Sequence, residues 1–376
     1  MTGALHGVVV ADFTRVLAGP YATMMLADLG AEVIKVERPD SGDDTRHWGP
    51  PFDPQGRATY FEAINRNKHS RAIDMSDMTD LARAHDLART ADVVIHNFPA
   101  HTASKFKLDY ESVVASNPAV IYCSISGFGS GAGTHMPGYD LLVQAMGGLM
   151  SVTGPGPGHP TKVGVALVDV ITGLHATIGI LAALHHRQVT GEGQHVEVNL
   201  LSSTLSALVN QASSFVSGGV VPEILGNAHP SITPYEVYQA ADRPIVIAVG
   251  NDGQFAKLCE VLDCAELPGD ARFATNSDRV ANRVELNEQL DKAFATQTAD
   301  HWWQALTESG VPSGPINSID QAFELATELG LNPIIEMKSE GQARKQVANP
   351  ITLSKTPVQY VSPPPDLPTS TTTSES

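Results

Sequence analysis

Gly7-Val8-Val9-Val10-Ala11-Asp12, then Gly19-Pro20 opening an apolar stretch from Tyr21 to Leu29, then Glu32-Val33-Ile34-Lys35-Val36-Glu37: this succession decides the fold. The first block is a short β-branched run and reads as a buried strand. A proline in the first turn suits a helix start, and Gly30 suits its C-terminal stop. The third block is a second strand. A strand, a helix and a strand in this order imply a parallel pair joined by a crossover.

The same alternation continues outward. A loop rich in Gly, Pro and Asp runs to about Gln55, and a helix is expected over 78–90. A strand at 92–96, a helix at 110–116 and a strand at 120–125 follow. A long apolar helix over 168–187 ends at the turn Thr190-Gly191-Glu192-Gly193. A strand at 195–198 and an apolar helix at 200–216 complete the series. Such alternation predicts an α/β fold with an open, Rossmann-like sheet, whose ligands bind at the carboxyl ends of the strands. Asp12, Arg38, Asn97 and Gly127 fall at or just after those ends.

From about Gly226 the pattern changes to a strand at 244–249 and amphipathic helices at 254–262, 283–296 and 299–309, a smaller α+β domain. The chain ends in Pro363-Pro364-Pro365 and a Ser/Thr-rich stretch, Thr369 to Ser376. With little to bury, 363–376 is expected to be disordered. A length of 376 residues fits two domains.

Hydrophobic residues make up 42% of the chain and charged residues 17%, as in a soluble globular protein. No stretch is expected to reach the roughly 18 apolar residues of a membrane span. Met1 to Gly7 lacks the basic and apolar regions of a signal peptide. Cys123, Cys259 and Cys264 have no metal-ligand spacing and fit buried thiols in a reducing cytoplasm. A net charge of −17 argues against nucleic acid as a partner. Basic residues nevertheless concentrate early, at Lys35, Arg38, Arg46, Arg57, Arg66, Lys68 and Arg71. They are either solvated surface charges or a place for a small anion.

The stretch from Gly127 to Gly148 carries the chemistry. It sets Asp140 where a glycine-rich loop, Gly127-Phe128-Gly129-Ser130-Gly131-Ala132-Gly133, meets an apolar helix after Pro137-Gly138-Tyr139. A carboxylate there sits on a helix N-terminus, beside backbone that a ligand can approach closely. Taken alone, Asp140 also reads as a plain N-cap.

Other chemistries fail on context. Gly127 to Ala132 matches Gly-x-Gly-x-x-Gly/Ala, but no helix starts at once, and the first strand–helix turn, Thr14 to Pro20, holds one glycine. A nicotinamide or flavin site is therefore only a remote alternative. Fourteen histidines give no metal-ligand spacing, and His185-His186 point to different helix faces. Ser130 lacks the strand-to-helix elbow of a serine nucleophile.

Together these motifs resemble the class III CoA-transferases (CaiB/BaiF-like), the family of formyl-CoA:oxalate and crotonobetainyl-CoA:carnitine transferases. The resemblance runs from about Gly7 to Tyr360. It passes through Asp12 to Pro20, Leu29 to Arg38, Asn65 to Lys68, Asn97-Phe98, Gly127 to Gly129 and Gly138-Tyr139-Asp140. It continues through Val168-Asp169-Val170, Thr190 to Gln194, Asn227 to Tyr235 and Gly310 to Ile316.

The resemblance implies a large CoA-binding domain, 1–200, completed by about 330–362. It implies linker helices at 201–225 and 318–330, and a small domain at 226–317. It implies an interlocked homodimer with the active site between the large domain of one chain and the small domain of the other. Asp140 would be the catalytic carboxylate, passing through an anhydride and an aspartyl-CoA thioester. The glycine-rich loop would donate N–H groups to the oxyanion. Arg38, Lys68, Asn97, Phe98, Lys105, Gly127 and Gly129 would bind CoA, the co-substrate. Arg15 and Tyr139 would meet the acyl substrate, with Arg15 free either to take a distal carboxylate or to pair with Asp12. No metal and no tightly bound cofactor are expected.

The racemases of 2-methylacyl-CoA share this fold, but carry Gly-His-Asp where this chain has Gly138-Tyr139-Asp140. A phenol, with a pKa of about 10, is a poor substitute for a histidine base. Asp169 stands where those racemases have their second acid, and does not discriminate. Tyr122 to Gly127, Asn227 to Tyr235 and Gly310 to Ile316 look most like transferases of succinate, glutarate and hydroxymethylglutarate. His229-Pro230 in place of a glycine run argues against oxalate, and the Ser/Thr tail replaces the family's usual terminal helix.

Overall fold

In the computed structural model, which describes residues 2–339 and 342–368, the alternating pattern closes into one six-stranded parallel sheet. Its strands are β1 (Val9–Phe13), β2 (Glu32–Glu37), β3 (Lys68–Ala72), β4 (Val93–His96), β5 (Ile121–Ser126) and β6 (Gln194–Asn199), in the order β3-β2-β1-β4-β5-β6. The order reverses beside β1, where ligands of open α/β sheets bind. Helices α1 (Ala18–Asp28), α2 (Thr59–Glu62), α3 (Met78–Thr90), α4 (Ala100–Lys105), α5 (Tyr110–Ser116) and α6 (Asp140–Met146) lie between the strands. The long α7 (Leu167–Thr190) precedes β6, and α8 (Leu200–Ala207) and α9 (Val209–Val216) follow it.

The sheet is covered on both faces because its strands are apolar on both. Val10 of β1, Val33 of β2 and Ile95 of β4 pack with Leu26 of α1 and Ile180 of α7. Their neighbours Ala11, Ile34 and Val94 turn the other way, onto Leu87 of α3 and Val113 of α5. Successive side chains of a strand point to opposite faces, so each strand feeds two cores.

Several expectations are corrected. A strand not expected between the loop and the 78–90 helix, β3, is opened by Lys68. The 200–216 helix breaks at Val209, whose φ of 38° cannot continue a helix, giving α8 and α9. Contrary to the composition argument, α7 is long and apolar enough to cross a membrane by length and composition alone. In the fold it is a core helix: Val168, Thr172, Ala176, Ile180 and Ala183 are buried, and it packs on α1.

The chain divides into two compact units, residues 1–150, 162–221 and 332–376 in one and 151–161 with 222–331 in the other. The assignment of 151–161 to the second unit has no counterpart in the sequence reading. The second unit contains an antiparallel sheet of β7 (Tyr235–Gln239), β8 (Pro244–Ala248) and β9 (Ser313–Pro315). It also contains α10 (Asp252–Val261), α11 (Asn276–Ala281), α12 (Arg283–Phe294), α13 (Ala299–Glu308) and α14 (Ile319–Glu328). Its core joins Ile245 and Ile247 to Phe255, Leu286, Phe294 and Trp302. Fully buried Arg279 ties the segment before β7 to this core. It donates to the carbonyl oxygens of Thr233 (2.8 Å) and Phe273 (3.1 Å) and lies over the Phe255 ring.

After the hairpin of β10 (Ile334–Ser339) and β11 (Gln342–Val347), the chain is fastened to the first unit through Asp28. The Asp28 carboxylate accepts from Arg66 (2.6 Å), Asn67 (2.8 Å) and Asn349 (2.9 Å), and its carbonyl oxygen accepts from Gln359 N–H. The expected disordered tail is corrected in part. Over 363–368 the chain is held: Arg344 donates to Pro364 O (2.7 Å), Arg46 to Pro365 O (3.0 Å), and Arg344 pairs with Asp366. The rest of that tail, 369–376, lies outside the described residues.

Candidate active site

Most of the early basic residues are consumed by carboxylates. Lys35 meets Asp43 (2.8 Å), Arg46 meets Glu37 (2.7 Å), Arg57 meets Asp53 (2.6 Å) and Arg66 meets Asp28. Lys68 is wholly buried and donates to Pro20 O and Asn65 (both 2.9 Å) and to Asp12 (3.3 Å), so its expected contact with CoA is corrected: it holds strand ends together. Burial alone would raise the Asp12 pKa, but the charges of Lys68 and Lys35 and bonds from Thr14 and Thr23 hold it below the usual range. Of the two partners expected for Arg15, the pairing with Asp12 is not formed; its guanidinium reaches Asp44 at 3.4 Å.

Two cavities open at the carboxyl ends of the strands. The first, about 590 Å³, is lined by Arg38, Lys35, Glu37, Ile73, Thr102 and Phe106 among others. The second, about 530 Å³, is lined by the glycine-rich loop, Tyr139, His96, Ser124, Glu197 and Asp169. Arg15, Phe98 and Pro99 line both. Arg38 is half exposed at the first cavity and paired with Asp44. Asn97, at the second, spends its amide on the neighbouring loop: Oδ1 accepts from Arg15 N–H (3.0 Å) and Nδ2 donates to Arg15 O (2.8 Å). Lys105 is exposed, lies 5.2 Å from the centre of the Phe106 ring and lines neither cavity.

Gly127 and Gly138 are needed for a close approach. A Cβ on Gly127 would stand 2.5 Å from the Gly138 Cα, and one on Gly138 would stand 2.6 Å from the Gly127 Cα. The two backbones close the loop at its base and set the start of α6. Within the loop, Gly129 N–H donates to Ser126 Oγ (3.1 Å), and Ser130 donates N–H (3.1 Å) and Oγ–H (3.0 Å) to Glu197. Those two N–H groups are therefore engaged, which corrects the expectation that the whole loop offers donors to an oxyanion.

Asp140 is not the N-cap of its own helix; Tyr139 is, without a side-chain bond. Its carboxylate caps a different helix. Oδ1 accepts from the N–H groups of Val168 (2.8 Å) and Asp169 (3.3 Å), the second and third residues of α7, and Oδ2 accepts from Gln144 Nε2 (2.6 Å). Ala166, the formal cap of α7, supplies no side-chain bond, so Asp140 does what a cap residue does. Tyr139 is exposed and lines the second cavity.

Asp169 lines the second cavity, and Asp140 does not. Burial, and then the nearby Asp140 charge, push the Asp169 pKa up to about 7. Both oxygens of Asp140 are held by donors, whereas Asp169 is a destabilised carboxylate at a helix start facing a cleft. The sequence placed Asp169 among the family's stations and at the position of the racemases' second acid, not as the nucleophile. That two helix starts converge was not visible, because 28 residues of chain separate the partners. Among the described residues, no group of three or more His, Cys, Asp or Glu is placed to hold a metal.

A doubly wound α/β sheet carries two cavities at the carboxyl ends of its strands, with Arg15, Phe98 and Pro99 common to both and the destabilised Asp169 carboxylate in the second: the class is an α/β protein with a cleft for small-molecule chemistry. The sequence model of CoA-transferase family III matches residues 5–371, and the chain belongs to that family. It is 44% identical over 370 residues to the succinate–glutarate CoA-transferase of Agrobacterium fabrum, covering 96% of this chain and 92% of that one. It is 42% identical to the mouse succinyl-CoA:glutarate CoA-transferase, covering 96% and 83%. An acetyl-CoA:oxalate CoA-transferase of Acetobacter aceti is 40% identical, covering 89% and 86%. A crystal structure of a CaiB/BaiF family protein from Brucella suis superposes with a TM-score of 0.87 at 42% identity, covering 98% and 97%. The protein is a CoA-transferase, with CoA thioesters as co-substrates.

Proposed function

We propose that this enzyme moves CoA from an acyl-CoA to a free dicarboxylate of the succinate and glutarate class, with Asp169 as the nucleophile and Asp140 as the residue that positions it. The observation that carries the assignment is the placement of Asp169 in the second cavity while both Asp140 oxygens are bonded elsewhere. The names of the relatives support the substrate class.

The steps balance around one negative charge. An Asp169 carboxylate oxygen attacks the thioester carbonyl and expels CoA thiolate, leaving a mixed anhydride. The thiolate attacks the aspartyl carbonyl of that anhydride and releases the donor carboxylate. The acceptor carboxylate attacks the resulting aspartyl-CoA thioester, and the freed thiolate then takes the acceptor acyl group from the second anhydride. Each adduct is neutral at Asp169. Burial and the Asp140 charge disfavour the free carboxylate but not the adducts, which favours acylation.

In this reading the first cavity takes the nucleotide end of CoA, with Arg38 as its phosphate contact, and Arg15 reaches the distal carboxylate of the acyl group. Arg38→Ala should weaken CoA binding by about 1–3 kcal/mol, the scale of charge-assisted hydrogen bonds. Unchanged affinity by titration calorimetry in a folded variant would remove that role. A screen of succinate, glutarate, hydroxymethylglutarate, mesaconate and oxalate as acceptors, with the monocarboxylates acetate and butyrate beside them, tests the substrate class. Oxalate belongs in it because the Acetobacter relative outweighs the argument from His229-Pro230. Turnover confined to monocarboxylates would refute the dicarboxylate reading.

Racemisation is the weaker reading, since exposed Tyr139 stands where a histidine base would be needed. A chiral 2-methylacyl-CoA in D₂O should therefore keep its α-proton. Exchange as fast as transfer, seen by proton NMR, would favour the racemase. We also propose a homodimer. Ile178, Leu205, Val209, Phe215 and Val216 are exposed along α7 to α9, an apolar surface that a second copy would cover.

A further inference from the structure

Three consecutive residues at the end of β4, His96-Asn97-Phe98, line the second cavity, Phe98 lines the first as well, and His96 has no role in the mechanism above. His96 is the last residue of β4, in register with Phe13 of β1 and Ser124 of β5, and is 6% exposed. Its Nε2 lies 2.7 Å from the Tyr122 hydroxyl, and that hydroxyl donates to Leu108 O at 2.7 Å. A phenol has one proton. Once it is given to the carbonyl, the oxygen can only accept from the ring, so Nε2 carries the hydrogen. Nδ1 is then bare, and it accepts the Phe98 N–H at 3.1 Å. The Phe98 ring stacks on the imidazole, with centroids 5.5 Å apart. Burial pushes the His96 pKa down to about 4, so the ring stays neutral near pH 7.

We propose that His96 is a positioning residue for acyl-CoA: its bare Nδ1, fixed by Tyr122 on the other ring nitrogen, sets the Phe98 backbone and ring that form the wall shared by the two cavities. Asn97 acts beside it by holding the Arg15 loop, so the wall has one anchor on each side. This inference rests on the reading of the two cavities as the CoA cleft. Its binding test does not need turnover.

The test uses the full chain. His96→Leu removes both bonds while keeping bulk. His96→Asn keeps an acceptor near Nδ1 but loses the phenol. Tyr122→Phe leaves the imidazole and frees its tautomer. His96→Leu should raise the KM for succinyl-CoA and the Kd for free CoA about 10-fold, roughly one good hydrogen-bonded contact. Its kcat should fall by no more than about threefold, because Asp169 is not touched. His96→Asn should recover most of the loss. In the wild type, ¹⁵N spectra of the imidazole should show a protonated Nε2 and an unprotonated Nδ1. A protonated Nδ1 would overturn the proposal, as would His96→Asn no better than His96→Leu, or unchanged KM and Kd. If His96→Leu does not fold, Tyr122→Phe and the tautomer measurement decide. Wild-type protein that binds CoA without transferring it refutes the mechanism and leaves this inference standing. Wild-type protein that binds no CoA refutes both.

Discussion

With Asp169 as the proposed nucleophile, Asp169→Ala should abolish CoA transfer, by about 10⁴-fold or more, as removal of a covalent nucleophile does. The folded protein should still bind CoA. Incubation of the wild type with an acyl-CoA and then hydroxylamine should place a hydroxamate on Asp169, read by peptide mass spectrometry. Asp140→Asn should behave differently. An amide oxygen can still accept from the N–H groups of Val168 and Asp169, so the start of α7 keeps its cap. The charge is lost, and with it part of what raises the Asp169 pKa, and Gln144 Nε2 loses its carboxylate acceptor. The wild-type rate should climb with pH through about 7 as Asp169 ionises. In Asp140→Asn that rise should move to lower pH, with substantial activity retained. Asp140→Ala removes the cap as well, and should cost about 0.5–2 kcal/mol of stability. A hydroxamate on Asp140, or near wild-type transfer by Asp169→Ala, would reverse the assignment of the two residues.

Asp28→Ala should be strongly destabilising. The Arg66 guanidinium is 4% exposed and the Asp28 carboxylate fully buried. Removing the carboxylate strands a buried cation and leaves Asn67 and Asn349 without their acceptor. The expected loss is about 3–5 kcal/mol, the range for breaking one partner of a buried pair. Replacing both Asp28 and Arg66 by apolar residues should cost less than Asp28→Ala alone, because no charge is then left unpaired. Because Asp28 also anchors 349–359, proteolysis should open the C-terminal segment first. Urea unfolding with an unchanged midpoint would show that the pair contributes nothing.

The alternation of β-branched runs with apolar helices determined the parallel sheet. Strand period and buried hydrophobicity are local properties, so Val9–Phe13, Glu32–Glu37 and Met78–Thr90 were legible within a residue or two. The strand ends also pointed to the edge of the sheet where both cavities open, and Gly127, Gly129 and Ser130 of the glycine-rich loop line the second. The apolar length of α7 was underestimated: it reaches that of a membrane span, although the helix packs on α1 in the core.

What the tertiary structure decided is which polar groups remain available. Lys68 and Asp140 look in sequence like a free cation and a free carboxylate. Folding brings Asp12 to the one, and the start of α7 with Gln144 to the other, and uses them up. Asp169 carries no stronger local signal than Asp140. It stands out only because burial and a neighbouring negative charge, both products of long-range packing, raise its pKa beside an open cavity. A sequence specifies the residue types that can do the chemistry; pairing and desolvation across distant segments select the one left to do it.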